Sequence, residues 1–231
     1  MKTKLIQMKG DEFVKKILNG ERDFSYIKLE EGFDFNKYKG FKYMQQYLKN
    51  KYLQGYPIII NFSDFSGIKA QELHLPYLKG EKASFRRAKL DYADFSYSSL
   101  KCANFEKASL IGAWFLNANL EGVNFERAYL IGALLHRANL RKAKLRLTNL
   151  GKASVCEADL RKADLEYASL LEAIINLSNF EGSNLKGADF EDVLADGAIN
   201  FKKTDLKKEN FGKIKKYQRE NIEMRLKHAC C

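Results

Sequence analysis

Histidines are the side chains of this sequence best suited to act as catalytic bases. The three histidines are His74, His136 and His228, and only His136 lies in the regular part of the sequence. No nucleophile is spaced to partner it, whereas general acid–base catalysis needs a base and an orienting group together in a cleft. We therefore expect His136 to be a solvated surface residue and the protein to have no catalytic residues.

Cysteines are the next candidates, as nucleophiles or metal ligands. The four of them match no zinc-binding spacing, and no phosphate-binding glycine loop occurs, so the sequence predicts neither a metal nor a cofactor. We expect free thiols in a reducing compartment, although the adjacent Cys230 and Cys231 would also allow metal binding or a cross-link between chains. Without a signal peptide or an apolar run of roughly 20 residues, a cytoplasmic protein with no membrane partner is expected.

Basic residues give the chain a net charge of +11 and mark one stretch as a candidate anion-binding site. Between Arg127 and Cys156 there is no Asp or Glu. Such a stretch favours nucleic acid or an acidic protein as a ligand, although it can equally be a solvated face balanced by nearby Glu121 and Glu181. The candidate anion-binding residues are Arg137, Arg141, Lys142, Lys144, Arg146, Arg161 and Lys162.

A five-residue period governs the elements that must position these side chains. From Phe85 to Phe190 every fifth residue is bulky and apolar, over 22 consecutive positions, and the residue two before it is small or modest in size. Five residues advance an α-helix by about 500°, which would spread the apolar column around the helix. On a straight strand an odd period would swap faces at each repeat. The pattern therefore predicts a chain that turns a corner once in every repeat.

The same period predicts which side chains point inward. The bulky residue at position i and the small residue at i−2 face the interior, while i−1, i+1 and i+2 face outward. Residues 104–120 and 124–140 are identical at 11 of 17 positions, a shift of 20 residues, so four units should complete one coil. Aspartates at i−1, such as Asp94 and Asp159, are expected to support the corners through side-chain to backbone hydrogen bonds.

The units Ala-Asn-Leu at 118–120, Ala-Asp-Leu at 158–160 and Ala-Asp-Phe at 93–95 closely resemble the repeat of the pentapeptide-repeat family. The resemblance covers residues 83–190 and implies an all-β solenoid, a right-handed quadrilateral β-helix with four pentapeptides per coil. Function does not follow from it, because most of the family has none assigned. The best-known activity of the family, protection of type II topoisomerases from quinolones by mimicry of DNA, requires an acidic surface and is disfavoured by the charge of +11.

Caps are expected at both ends of such a solenoid, because the terminal coils expose unpaired backbone and core. Asp11 is a candidate N-cap for a short helix, residues 37–54 have helical spacing, and residues 23–29 predict a first, partial coil. A one-residue slip of the repeat frame between Phe190 and Phe201 predicts a bulge or a loop. The resulting division is an N-terminal cap with a helical insertion (1–60), the β-helix (61–211, with a regular core at 83–192) and a C-terminal helix and tail (212–231).

Apolar residues at outward positions predict an interaction surface. Trp114, Leu134 and Ile174 recur at multiples of 20, so they should lie on one side of the coil. Such a patch is typical of an interface, unless its residues are scattered or the helix at 37–54 or the basic segment at 213–228 covers them. The candidate interface residues are Ile111, Trp114, Leu116, Tyr129, Ile131, Leu134, Leu171 and Ile174.

Two functions remain open at this point. The first is a non-enzymatic scaffold that binds a protein partner or self-associates, for example as a homodimer. The second is binding of nucleic acid or another polyanion through the basic stretch at 127–162. Tyrosines and lysines alternating over 37–56 would also suit stacking on bases, although aromatic packing around a helix explains them as well.

Overall fold

The computed structural model describes residues 4–195, together with residues 201 and 204. From Ile58 to Ala195 the chain forms nearly seven coils, each made of four short extended segments joined by turns. Parallel bridges connect residues 20 apart, as between Ser84 and Asn104 and between Asn104 and Asn124. This period of 20 is the one that the internal similarity of the sequence predicts.

Backbone hydrogen bonds fix the stacking of the coils. The N–H of Phe85 donates to the carbonyl of Asn104 at 2.7 Å, and the N–H of Arg87 donates to that of Glu106 at 2.9 Å. In the other direction, the N–H of Asn104 donates to the carbonyl of Ala83 at 2.8 Å. Since this pattern recurs from unit to unit, neighbouring coils are locked in register.

The corners are tight turns with one residue in the left-handed region. The N–H of Ala88 donates back to the carbonyl of Phe85 at 3.0 Å, and Arg87, the third residue of that turn, has a φ of 57°. A positive φ at this place is the mark of a type II turn, which usually carries glycine. Here lysine, arginine, tyrosine and glutamate often occupy it, each at a cost of roughly 1 kcal/mol. The hydrogen bond from the N–H of the left-handed residue to the coil above, as from Arg87 to Glu106, offsets that cost.

Stacked side chains fill the interior. Phe85, Phe105 and Phe125 form a column with ring centroids 4.9 and 5.2 Å apart. Phe115 on the opposite side meets Phe105 edge to face at 6.0 Å, a favoured geometry for aromatic pairs. All 22 bulky positions from Phe85 to Phe190 are at most 1% exposed, so the inward assignment is confirmed.

An incomplete coil lies beneath the first full one. Strand β1 (Ile6–Met8) pairs in parallel with strand β2 (Ile27–Leu29). The predicted partial coil at 23–29 is confirmed by bridges of Asp23 and Lys28 to the coil above, and Asp34 adds a third side that the pattern did not reveal.

Helix α1 (Gly10–Leu18) packs against the core at this end. Its residues Val14 and Ile17 are fully buried, and the ring of Phe13 lies 5.3 Å from that of Phe65 in the first full coil. The prediction that Asp11 caps the helix is wrong. Lys9 is the N-cap residue, and Asp11 lies in the first turn, where its carboxylate accepts a hydrogen bond from Lys15 at 2.9 Å.

Helix α2 (Lys39–Lys49) follows a 3₁₀ helix (Phe35–Lys37) and is shorter than the predicted span of 37–54. Met44 and Leu48 form its buried face, as the spacing predicts. The helix ends at Lys49, with Asn50 as its C-cap residue, and Tyr52 lies beyond it as an exposed residue.

At the other end, Phe201 stacks on Phe180 with ring centroids 5.2 Å apart. The two residues are 21 positions apart rather than 20, so the one-residue slip of the frame is confirmed. The predicted helix at 213–228, the tail at 212–231, His228, Cys230 and Cys231 lie outside the described residues. Within the described part of the chain, no helix is long and apolar enough to span a bilayer.

Substituting Leu140→Lys should destabilise the protein by at least about 3 kcal/mol, because it removes a buried leucine and places a charge in the core. The matched control is Leu147→Lys, the same chemical change at a corner position that is 43% exposed. Urea unfolding followed by circular dichroism measures both variants. Equal stability of the two would contradict the inward placement of Leu140.

Candidate functional site

Four columns of inward residues define the sides of the coil. We number the sides by the coil at 103–122: side 1 carries Phe105, side 2 Leu110, side 3 Phe115 and side 4 Leu120. Corners are named by the sides they join, so that Ile111 lies at corner 2–3. Residues 20 apart lie directly above one another on the same side or corner.

Corner 2–3 brings five of the predicted interface residues together. Trp114 and Leu134 bridge on side 3, Tyr129 lies on side 2, and the remaining two lie between them at the corner, Ile111 and Ile131. Trp114 is 49% exposed and Tyr129 54% exposed, and the others are half-buried. We call these five residues the apolar corner, because they occupy two adjacent coils and form one surface.

The other three predicted interface residues lie apart from this surface. Leu116 is at corner 3–4, at the far edge of side 3. Leu171 and Ile174 stand two coils above Ile131 and Leu134, and Gly151 and Ser154 fill the coil between them. The predicted set of eight is therefore divided by a gap in the apolar column.

Tyr92, which is not among the eight predicted interface residues, extends the apolar corner downward. It lies at corner 2–3 one coil below Gly112, and a Cβ atom on that glycine would stand 2.7 Å from the tyrosine ring. The ring therefore lies against the backbone of Gly112 and is largely exposed to solvent. An aromatic residue followed by glycine 20 positions later is the signal that would have revealed this contact.

Helix α2 does not cover the apolar corner, so one of the two predicted coverings is absent. The helix takes the place of side 3 below the first full coil, where the N–H of His74 donates to Oε1 of Gln45 at 2.6 Å. Trp114 lies two coils above His74 and keeps its exposure. The second arrangement, coverage by residues 213–228, concerns residues outside the described part.

The predicted anion-binding residues divide among three corners. Five of them gather at corner 4–1 and the adjoining edge of side 1: Arg141, Lys142, Lys144, Arg161 and Lys162. Arg137 lies at corner 3–4 and Arg146 at corner 1–2. We call the group of five the basic corner.

Carboxylates from the coil above neutralise two of the seven predicted anion-binding residues. Arg137 binds Glu157 at 2.8 Å, and Arg146 binds Glu166. The hydrogen bond from Arg137 lowers the pKa of the Glu157 carboxyl from its ordinary value. The stretch between Arg127 and Cys156 therefore contains no acidic residue in sequence, but acidic residues of the next coil lie beside it on the surface.

Within the basic corner, only Arg161 has an ionic partner among the residues that the structure describes. Its guanidinium binds Asp159 at 2.5 Å. Burial raises the pKa of Asp159, but the hydrogen bonds from Arg161 outweigh that effect and the net shift is downward. Arg141, Lys142, Lys144 and Lys162 form no ion pair within 4.0 Å in that same part of the chain.

The aspartates of the repeat support the corners, as predicted. Oδ1 of Asp159 accepts a hydrogen bond from the N–H of Arg161 at 3.1 Å, and Oδ1 of Asp94 accepts one from Ser96 at 2.9 Å. Asparagine does the same in other coils, as Asn104 does for Glu106 at 2.9 Å. These residues act on the backbone of their own turn, which explains their place in the repeat.

His136 is half-buried rather than fully solvated, with Nε2 3.4 Å from the carboxylate of Glu157. His74 lies with Nδ1 3.1 Å from Asp94. Burial raises the pKa of Asp94, whereas hydrogen bonds from His74 and Ser96 lower it and prevail. Across residues 4–195, 201 and 204, no group of three His, Cys, Asp or Glu side chains is arranged to hold a metal ion.

A family model described as pentapeptide repeats matches the chain in eight copies, over residues 81–115, 115–151, 143–182 and 173–211. Among solved structures, HetL, a pentapeptide repeat protein involved in heterocyst differentiation regulation from the cyanobacterium Nostoc sp. strain PCC 7120, is 21% identical with a TM-score of 0.66. That match covers 87% of this chain and 81% of HetL, and it shows the fold.

Two further solved structures match a smaller share of this chain than HetL does and have lower TM-scores. QnrB1, a plasmid-mediated fluoroquinolone resistance protein, is 20% identical with a TM-score of 0.40, over 73% of this chain and 94% of its own. A pentapeptide repeat protein from the Arabidopsis thaliana thylakoid lumen is 32% identical with a TM-score of 0.25, over 53% of this chain and 67% of its own. No curated protein matches the chain significantly.

The substitution Asp94→Asn should make the free energy of unfolding depend less on pH under acidic conditions. A carboxyl whose pKa is lowered by folding stabilises the protein above its unfolded pKa, about 3.9, and loses that contribution as the pH falls through the folded pKa. Asparagine still accepts the Ser96 N–H, so the variant should fold. Urea unfolding between pH 6 and pH 2 should show the wild type losing its advantage over the variant below about pH 4. A constant difference across this range would contradict the assignment.

Proposed function

We propose that this chain, which belongs to the pentapeptide-repeat family, is a non-enzymatic scaffold that binds another protein chain through its apolar corner. In this proposal its coils form the right-handed quadrilateral β-helix of the family. The observation that carries the proposal is the exposure of Trp114 and Tyr129 beside Leu134 on two adjacent coils. A contiguous apolar surface of this kind favours an interface over a solvated face.

The backbone beneath the apolar corner supports a tight contact. Inter-coil hydrogen bonds of 2.7–2.9 Å hold Trp114, Leu134 and their neighbours on both sides. A surface that is already ordered loses little conformational freedom on binding, so more of the contact energy is available for affinity. Exposed tryptophan and tyrosine are also the residues that most often dominate binding energy at interfaces.

The partner in this proposal presents an apolar surface to corner 2–3. In the column of Trp114, Leu134 lies directly above it, and Asp94, which is bound to His74, lies directly below it. A different protein or a second copy of this chain meets that requirement. Self-association is therefore tested together with partner binding.

The double substitution Trp114→Asp with Leu134→Asp should weaken self-association or partner capture at least about tenfold, since it places charge at the centre of the contact. The control is Asn104→Asp with Asn124→Asp, which adds the same charge at the equivalent positions of side 1 on the same two coils. Sedimentation velocity and co-purification from a lysate measure the effect, and thermal unfolding shows that both variants fold. Unchanged oligomeric state and unchanged partners in the Trp114 variant would reject the proposal.

Polyanion binding at the basic corner is a second candidate. It is supported by four cations, Arg141, Lys142, Lys144 and Lys162, that gather on two coils without an ion pair among the described residues. Cations of this kind exchange their counterions for phosphates or sulfates of a polyanion. Arg137 and Arg146 are excluded from this site because each is bound to a glutamate.

Lys142→Glu with Lys162→Glu should lower the salt concentration at which the protein elutes from heparin and reduce the salt slope by about 2, because two contacts are lost. Lys79→Glu with Lys89→Glu is the control. It changes the total charge equally at exposed positions on sides 4 and 2, in coils below the basic corner. Equal elution of the two variants would show a general charge effect and no site at the basic corner.

A further inference from the structure

A cleft lies between helix α2 and the turn at residues 71–72 of the first full coil. Its volume is about 810 Å³, within the usual range for small-molecule sites. Asn36 joins its two walls, donating to the carbonyl of Gln71 at 3.2 Å and accepting from the Gln71 N–H at 3.0 Å. The cleft thus has fixed walls, one helical and one from the solenoid.

The charge of this cleft is strongly positive. Lys37, Lys39, Lys42 and Lys49 line it, against the single carboxylate of Glu72. Lys37 lies 3.8 Å from Asp34, whereas the other three lysines form no ion pair with any described residue. From residue 35 to residue 63 the chain contains no Asp or Glu, so the helix supplies no counter-charge of its own.

The lysines have no role in the packing of α2. Phe41, Met44 and Leu48 form its buried face, while Lys39, Lys42 and Lys49 are exposed at the cleft. Like charges three positions apart on a helix, as Lys39 and Lys42 are, destabilise it. An anion in the cleft would relieve that repulsion.

An aromatic ring and an amide add specificity to the charge. Tyr43 lines the cleft and is 68% exposed, so its face is open to stacking. Gln45 also lines it, and its Nε2 is buried without a hydrogen-bond acceptor in the described part of the chain. Tyr38 and Tyr47 are not open in this way, because one packs on Gly40 and the other binds Arg22.

We propose that the cleft beside α2 binds a nucleotide, with its phosphates at Lys39, Lys42 and Lys49 and its base against Tyr43. A free nucleotide and the exposed end of a single-stranded nucleic acid present the same chemistry. The site is separate from the apolar corner in both its ligand and its residues. It is also far from the basic corner, since the turn at 71–72 lies at corner 2–3 and the basic corner is diagonally opposite.

Isothermal titration of the full chain with ATP, an eight-nucleotide oligothymidylate and tripolyphosphate, at low and moderate salt, tests the proposal. ATP or the oligonucleotide should bind saturably, and the affinity should fall as salt rises. Tighter binding of ATP identifies a free nucleotide as the ligand, and binding of the oligonucleotide alone identifies a strand end. No saturable binding of either at low salt overturns the proposal.

Variants locate the site. Lys39→Glu with Lys42→Glu should weaken binding of ATP or the oligonucleotide at least about tenfold, because two phosphate contacts become repulsive. Tyr43→Leu should weaken the same ligand about fivefold or more while leaving tripolyphosphate unchanged, since only the base is affected. Lys79→Glu with Lys82→Glu carries the same charge change on the opposite corner of the same coil and should have little effect. An equal loss in both lysine pairs, or a loss in the Lys79 pair alone, overturns the proposal.

Discussion

From Phe62 to Glu172, every corner of this solenoid holds one residue in the left-handed backbone region, and the hydrogen bond from the N–H of that residue to the coil above keeps it there. Arg87 shows the arrangement, with a φ of 57° and its N–H bonded to Glu106 at 2.9 Å. Without the coil above, most of these residues would have little reason to adopt that conformation. The corners and the stacking therefore depend on each other, and together they fix a coil of 20 residues.

That dependence makes the surface a set of vertical columns. A side chain contacts the residue 20 positions away more closely than most of its neighbours in sequence, as the pairs Arg86–Glu106, Lys101–Glu121 and Arg137–Glu157 show. Exposed pairs of this kind contribute little to stability. These pairs instead affect recognition. They occupy basic side chains that would otherwise bind a polyanion, so that a smaller group of cations is left at the basic corner.

The N-terminal end departs from the repeat at the point where a fourth side would complete the coil. Helix α2 takes that place, and Gln45 accepts the hydrogen bond from His74 that a carbonyl of another coil would accept. Because a helix is wider than an extended segment, it leaves a cleft beside the turn at 71–72. Among the described residues no helix lies beside the regular coils, so the helical insertion adds a concave surface of a kind that the described repeats do not form.

The sequence alone determined the period, the inward residues and the coil of 20. The same pattern of bulky and small residues recurs in every unit, so an atypical residue in one unit does not obscure it. It also predicted both N-terminal helices and the frame slip before Phe201, since helical spacing and a displaced repeat are visible in one dimension. Only the tertiary structure decided that the side chains of Arg137 and Arg146 are bound to glutamates one coil above and that the ring of Tyr92 lies on Gly112. It likewise decided that α2 replaces one side of a coil and does not lie over the apolar corner. The repeat places residues 20 apart above one another, but it does not set side-chain conformations or the docking of a helix, because both depend on packing.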